Sequence, residues 1–144
     1  MKKNGFTLME ILIVIAILGI LATVGLASYQ GSIKRARDTQ RRGDLFQVRT
    51  ALRLYYNDMM RYPDDDGGGG ISGFPWGSQF GVGSNVYMGE LPEDPLSSQS
   101  YYYDRTSEDT FTIYACLENT ADPEGEDVAV GVCPSGRRFM MEVY

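Results

Sequence analysis

The sequence predicts an α+β fold, in which one long N-terminal helix packs against a small antiparallel β-sheet head. Three observations carry the prediction. From Phe6 to about Arg61 nothing forces a helix to stop, because the first proline is Pro63. At Pro63 the composition turns Gly-rich and acidic, in "YPDDDGGGGISGFPWGSQFGVGS". Beyond Ser100, apolar and polar residues alternate with the period of half-buried strands.

The helix begins in an apolar run. Lys2 and Lys3 precede Asn4-Gly5, and from Ile11 to Ala27 the only polar residue is Thr23. Phe6 to Ala27 is 22 residues, enough at ~1.5 Å per residue to cross a hydrocarbon core of ~30 Å. The run fits a cleaved secretory signal ending at Gly25-x-Ala27, an uncleaved anchor, or a segment cut ahead of the apolar run. Glu10 is out of place in the first two, since a carboxylate at the bilayer centre costs ~2.5–3.5 kcal/mol.

From residue 31 the helix becomes amphipathic. Leu45, Val48, Leu52, Tyr55, Met59 and Tyr62 recur at spacings of three and four and share one face, whereas Arg42, Arg49, Arg53 and Asp58 fall largely elsewhere. The only candidate interruptions are Gly19, Gly25, Gly31 and Gly43. The predicted division is a transmembrane helix over 6–30, an amphipathic helix over 31–62 packed on the head, and a head over 63–144. Lys34, Arg35, Arg37, Arg41 and Arg42 follow the apolar run closely. Taken naively, the positive-inside rule would hold that side in the cytoplasm.

Within the head, residues 63–100 read as a loop and 101–144 as an antiparallel sheet. Asp64-Asp65-Asp66 beside four glycines reads as a solvated, flexible turn in preference to a Ca2+ site. Tyr101-Tyr102-Tyr103 leads to a turn around Ser107–Asp109, and Phe111, Ile113 and Ala115 then alternate with Thr112, Tyr114 and Cys116. Val128–Val132 and Phe139–Val143 form a second candidate hairpin around Pro134-Ser135-Gly136.

Composition narrows the function classes. There is no His, which removes the commonest general base and metal ligand. No G-x-S-x-G or phosphate loop is present, so no enzyme is expected. The two cysteines, Cys116 and Cys133, form neither a C-x-x-C pair nor a Cys/His cluster. In an oxidising compartment a bridge between them would contribute ~3 kcal/mol in the chain-entropy model, and in the cytosol they would be two unrelated thiols. Charge is split along the chain. Residues 1–62 carry ten Lys/Arg against four Asp/Glu, giving +6, and residues 63–144 carry three against fifteen, giving −12. Copies of such a chain have complementary fields.

"GFTLMEILIVIAILGILA", Gly5 to Ala22, closely resembles the leader junction of type IV pilins and of the pseudopilins of type II secretion systems. The resemblance implies the pilin fold, a leader peptide 1–5 removed between Gly5 and Phe6 by a prepilin peptidase, and N-methylation of Phe6. It also implies that Glu10 accepts the new amine of Phe6 from a neighbouring copy. A buried pair of this kind fixes register more than it adds stability. The expected partners are further copies in a homopolymer, an inner-membrane assembly platform and minor pilins. The expected location is the inner membrane, crossed once with the head outside the cytoplasm, and later an extracellular or periplasmic filament. Many type IV pilins carry a proline some twenty residues into the mature helix, and this chain has none.

"LPEDP", Leu91 to Pro95, followed by "SYYYD", resembles the segment after the helix in major pseudopilins, where a nearby loop binds calcium. Glu93, Asp94, Asp104, Glu108 and Asp109 are the local candidates here, and Ca2+ is the one cofactor weighed. A Cys116–Cys133 disulfide would resemble the bridged C-terminal region of type IV pilins. The cysteines lean toward a pilus and "LPEDP" toward secretion. The reading preferred on the sequence is a type IV pilus subunit, with a pseudopilin of type II secretion or DNA uptake as the alternative. An alternative of another class is a membrane-tethered binding module for sugar, DNA or a surface, using the basic stretch Lys34–Arg53 or the tyrosines, although salt-bridging of those basic residues to acidic heads is the preferred reading.

Overall fold

The computed structural model describes residues 5–129 and 131–143, with the side chains of residues 24–28 outside the description. The leader residues 1–4 therefore lie outside the described residues. Two compact units are present, Met1–Lys34 and Arg35–Tyr144.

Helix α1 spans Leu8–Met59, 52 residues, without a break at any of its glycines. In the first unit every residue from Gly5 to Thr23 is exposed. Among the described residues no helix is long and apolar enough to cross a membrane. The apolar sequence does run on through Ala27.

In the second unit α1 buries one stripe. Asp38, Arg41, Leu45, Val48, Ala51, Leu52 and Tyr55 are all buried, at the three-and-four spacing that puts them on one helical face. The predicted stripe overreaches at its end. Met59 is exposed, and Tyr62 is buried from beyond the helix. The turnover happens at Met60, whose φ of 54° is left-handed and unusual for a side-chain-bearing residue. Its N–H still donates to the Tyr56 carbonyl at 2.8 Å, an αL cap of the kind glycine usually provides.

Residues 63–100 are more ordered than the sequence suggests. They hold a hairpin of β1, Phe80–Val82, and β2, Asn85–Met88. Gly81 explains why no clear alternation marks it: a Cβ there would meet the Asn85 carbonyl oxygen at 2.6 Å, so packing requires a residue that weakens the strand signal. Phe80 anchors the hairpin in the core, against Tyr55 and Phe74.

The larger sheet contains β3, Tyr102–Arg105, β4, Phe111–Cys116, β5, Glu126–Asp127, and β6, Arg137–Val143. Its order is β3-β4-β6-β5 and every pairing is antiparallel. Phe111, Ile113 and Ala115 face the core as predicted. The second predicted hairpin has a different first arm, because the edge strand paired with β6 opposite β4 is Glu126–Asp127. In the predicted arm, Val128–Val132, Val132 N–H turns back to the Ala129 carbonyl, as does Cys133 N–H just beyond it, which takes that end off the ladder. The core closes as one cluster of helix, loop and sheet residues, from Leu45 and Leu52 to Leu91, Tyr103 and Met141.

Candidate assembly site

Two polar features on α1 stand out, one in each unit. At the start of the helix, Thr7 precedes Leu8 and Glu10 lies three residues on, the spacing of a capping box. Glu10 Oε2 accepts from the Thr7 backbone N–H at 2.8 Å and from the Thr7 hydroxyl at 2.9 Å. The Thr7 hydroxyl oxygen in turn accepts from Glu10 N–H at 3.3 Å. Sequence reasoning singled out Glu10 and missed Thr7, although T-x-x-E ahead of an apolar run was legible as a helix start. Phe6, beside this cap, is largely exposed. The Gly5-Phe6 junction lies ahead of the first helical residue, Leu8. The same carboxylate that closes the helix end stands four residues from the amine that cleavage would create.

In the second unit Arg41 is wholly buried, which is tolerable only with full pairing. Its Nε and Nη2 donate to both oxygens of Asp94 at 2.7 and 2.8 Å. Nη1 donates to Asp38 at 2.8 Å and to Glu118 at 2.9 Å. Asp38 in turn accepts the backbone N–H groups of Glu118 and Asn119, and Asp94 accepts that of Leu96 at 2.8 Å. One turn of α1 is thus tied to the "LPEDP" loop and to the segment after β4. Burial opposes the Arg41 charge, yet its hydrogen bonds to Asp94 and Glu118 carry the pKa above the ordinary arginine value. The Arg37 hydrogen bond, outweighing burial, holds the Glu118 carboxyl down to about 2.

The other basic residues of this stretch are also engaged. Arg37 pairs with Glu118, and Arg42 pairs with Asp122 and Glu124. Three of the five cations that complicate the membrane orientation are therefore neutralised within the head.

Of the calcium candidates, Glu93 and Asp94 line one cleft and Asp104 lines another. Asp94 is taken by Arg41, and Asp109 accepts the Tyr56 hydroxyl at 2.6 Å. Glu108 lends its carbonyl to Tyr62 N–H, Asp104 sits on β3, and Glu93 lies beside Gly77. Among the described residues no group of three or more acidic or sulfur ligands is poised for a metal. The Asp64–Asp66 turn is ordered, not loose. Asp66 Oδ1 accepts from Gly68 N–H at 2.7 Å and from Gly70 N–H at 2.8 Å. These bonds, that of Gly70 foremost, lower its pKa. Cys116 and Cys133 are joined in a disulfide with Cα atoms 5.3 Å apart.

The comparisons bear on both units. The model described as the prokaryotic N-terminal methylation motif matches residues 1–26, and that described as type II secretion system (T2SS), protein G, matches residues 28–133. A type II secretion system core protein G of Klebsiella pneumoniae is 33% identical over 102 residues, covering 67% of this chain and 71% of the relative. That of Vibrio cholerae is 29% identical over 136 residues, 88% of this chain and 90% of the relative. A type IV major alpha-pilin of Moraxella bovis is 46% identical over 50 residues, only 35% of this chain and 31% of the relative. No solved structure gives a match. Pilin and pseudopilin are both compatible with these relatives, but the pilin likeness is confined to a short stretch while the protein G likeness runs through the head. The order preferred on the sequence, pilus before pseudopilus, is therefore reversed. With its methylation motif, its long helix on an antiparallel head and a protein G match across 28–133, this chain belongs to the type II secretion system protein G family.

Proposed function

We propose that this chain is the polymerising subunit of a type II secretion pseudopilus, cut between Gly5 and Phe6, methylated on Phe6 and assembled through its apolar helix. The observation that carries this reading is the meeting, on one chain, of a methylation motif over residues 1–26 with a secretion protein G match over 28–133. Before assembly, residues 6–30 anchor the chain in the inner membrane with the head outside the cytoplasm. An assembly platform and a prepilin peptidase act on it as a substrate, and its own role is structural. On assembly Glu10 exchanges part of its bonding to Thr7 for the amine of Phe6 in the next copy. That exchange neutralises two charges inside an apolar bundle.

The second reading, a type IV pilus subunit, draws on the Cys116–Cys133 bridge and on the Moraxella bovis pilin likeness. Mass spectrometry of the membrane-extracted chain tests the processing step. The expected N-terminus is N-methyl-Phe6, and a chain beginning at Met1 or at Ser28 would overturn it. Glu10→Gln is expected to insert in the membrane normally and to be depleted at least about tenfold from sheared filaments, ~1.4 kcal/mol per contact. Filament yields equal to wild type would sink the pairing.

A further inference from the structure

Three neighbouring clefts on the head share lining residues and together outline a groove. The first, about 200 Å³, is lined by Trp76, Gln99 and Ser100 among others. The second, about 280 Å³, shares Trp76 and Ser100 with the first and adds Tyr102 and Gly68–Gly70. The third, about 330 Å³, shares Tyr102, Gly68 and Gly69 with the second and adds Tyr114, Asp65 and Asp104. Aromatic side chains therefore recur along the whole groove.

Its walls follow from the sheet and the glycine turn. On β3, Tyr103 points into the core, so Tyr102 lies on the opposite face. There it pairs across the strands with Tyr114, the two rings stacked at 4.7 Å and within 6° of parallel. The Asp66-organised turn closes against Tyr102. A Cβ at Gly69 would come within 2.6 Å of that ring, and Gly69 has a φ of +95°. The Gly69 carbonyl accepts Tyr103 N–H at 2.8 Å, fastening the turn to the strand. This wall is held in place and exposes backbone in the groove, as glycine permits.

The polar chemistry of the groove is one-sided. Asp65, Asp66, Asp104 and Glu93 present acceptors, and no lysine or arginine lines any of the three clefts. Gln99 adds an independent sign. Its Oε1 is buried without a hydrogen-bond partner among the described residues, a state that costs ~1–3 kcal/mol unless a donor arrives. A ligand matching these walls carries many donors, no negative charge and apolar faces for aromatic rings. A phosphate backbone is repelled.

We propose that the groove running from Gln99 past Trp76 and Tyr102 to Asp104 binds a neutral, hydroxyl-rich oligosaccharide. Sugar C–H faces lie against the aromatic side chains, and sugar hydroxyls donate to Gln99 Oε1 and to the carboxylates. Such sites join aromatic contact with a few placed polar groups. The site is separate from the helix that carries assembly, so the pseudopilus reading stands or falls independently of it.

Trp76 is the only tryptophan in the chain, so its fluorescence reports on the groove directly. The full chain in detergent micelles is titrated with cellohexaose, with hexalysine and with a single-stranded oligothymidylate. Saturable change is expected with cellohexaose in the millimolar range or tighter, and none with the oligothymidylate. Tyr102→Ala is expected to weaken binding about tenfold, at the low end of what one aromatic stack supplies. Gln99→Met removes the orphan acceptor with little risk to the fold, and is expected to weaken binding while leaving the melting temperature unchanged or raised. Binding of hexalysine but not cellohexaose would overturn the sugar assignment. So would no response to any probe, or a cellohexaose response indifferent to both substitutions.

Discussion

Helix α1 handles its residues in opposite ways at its two ends. Over residues 8–21 leucines, isoleucines and valines are exposed, whereas farther along the same helix Arg41 and Asp38 are buried. In the head, a buried charge survives because each of the three guanidinium nitrogens donates to a carboxylate. In the first unit the described large apolar residues from Phe6 to Leu21 are exposed. Exposed apolar runs of that size mark surfaces meant for lipid or for other chains. The contrast teaches that the head is a finished fold and the N-terminal segment is half of an interface.

The sharpest way to break that contrast is to remove the buried cation. Arg41→Ala leaves Asp38 and Asp94 buried without their counter-charge, and a loss of ~3–5 kcal/mol is expected. Thermal melts of the full chain in detergent should fall by many degrees, while the same protein retains its N-terminal processing. A melting temperature within error of wild type would mean that the ion cluster does not hold the head together.

A smaller effect is expected with acid. Glu118 has a folded-state carboxyl held at about 2 from an ordinary value of 4.5. Because the folded value is the lower one, its contribution is complete above about pH 4.5 and fades as pH falls toward about 2. Glu118→Gln should therefore melt below wild type at neutral pH, and the gap should narrow steadily across that acid window. A gap independent of pH would remove Glu118 from the acid response.

The smallest effect runs the other way. Met60 holds a φ of 54° with its side chain exposed. Met60→Gly relieves the left-handed strain at the end of α1 and is expected to stabilise the head by ~1 kcal/mol. Chemical denaturation measures it, and a loss of stability would show that the methionine side chain contributes contacts worth more than the strain.

Much of the fold was legible because its signals are local. The helix stripe from Leu45 to Tyr55 and the alternation from Phe111 to Ala115 are periodicities, and both reached the core as read. The β1–β2 hairpin was hidden because close backbone packing demands Gly81, which blurs a strand pattern. Glu126–Asp127 was hidden because a two-residue edge strand of charged residues has no period at all. The junction Gly5-Phe6 and Glu10 were legible as a motif, and Thr7 was overlooked beside them.

What local sequence could not decide was the partner of each charge. Asp94 sits in an acidic turn, and fifty-three positions separate it from the arginine that occupies it. Pairing of the basic stretch with acidic heads was expected, but only the structure matches Arg37 to Glu118, Arg41 to Asp94 and Arg42 to Asp122. Helices, turns and the assembly motif follow from neighbours along the chain, so the sequence alone determined them. Charge pairing across more than fifty residues depends on which surfaces meet, so only the tertiary structure decided it.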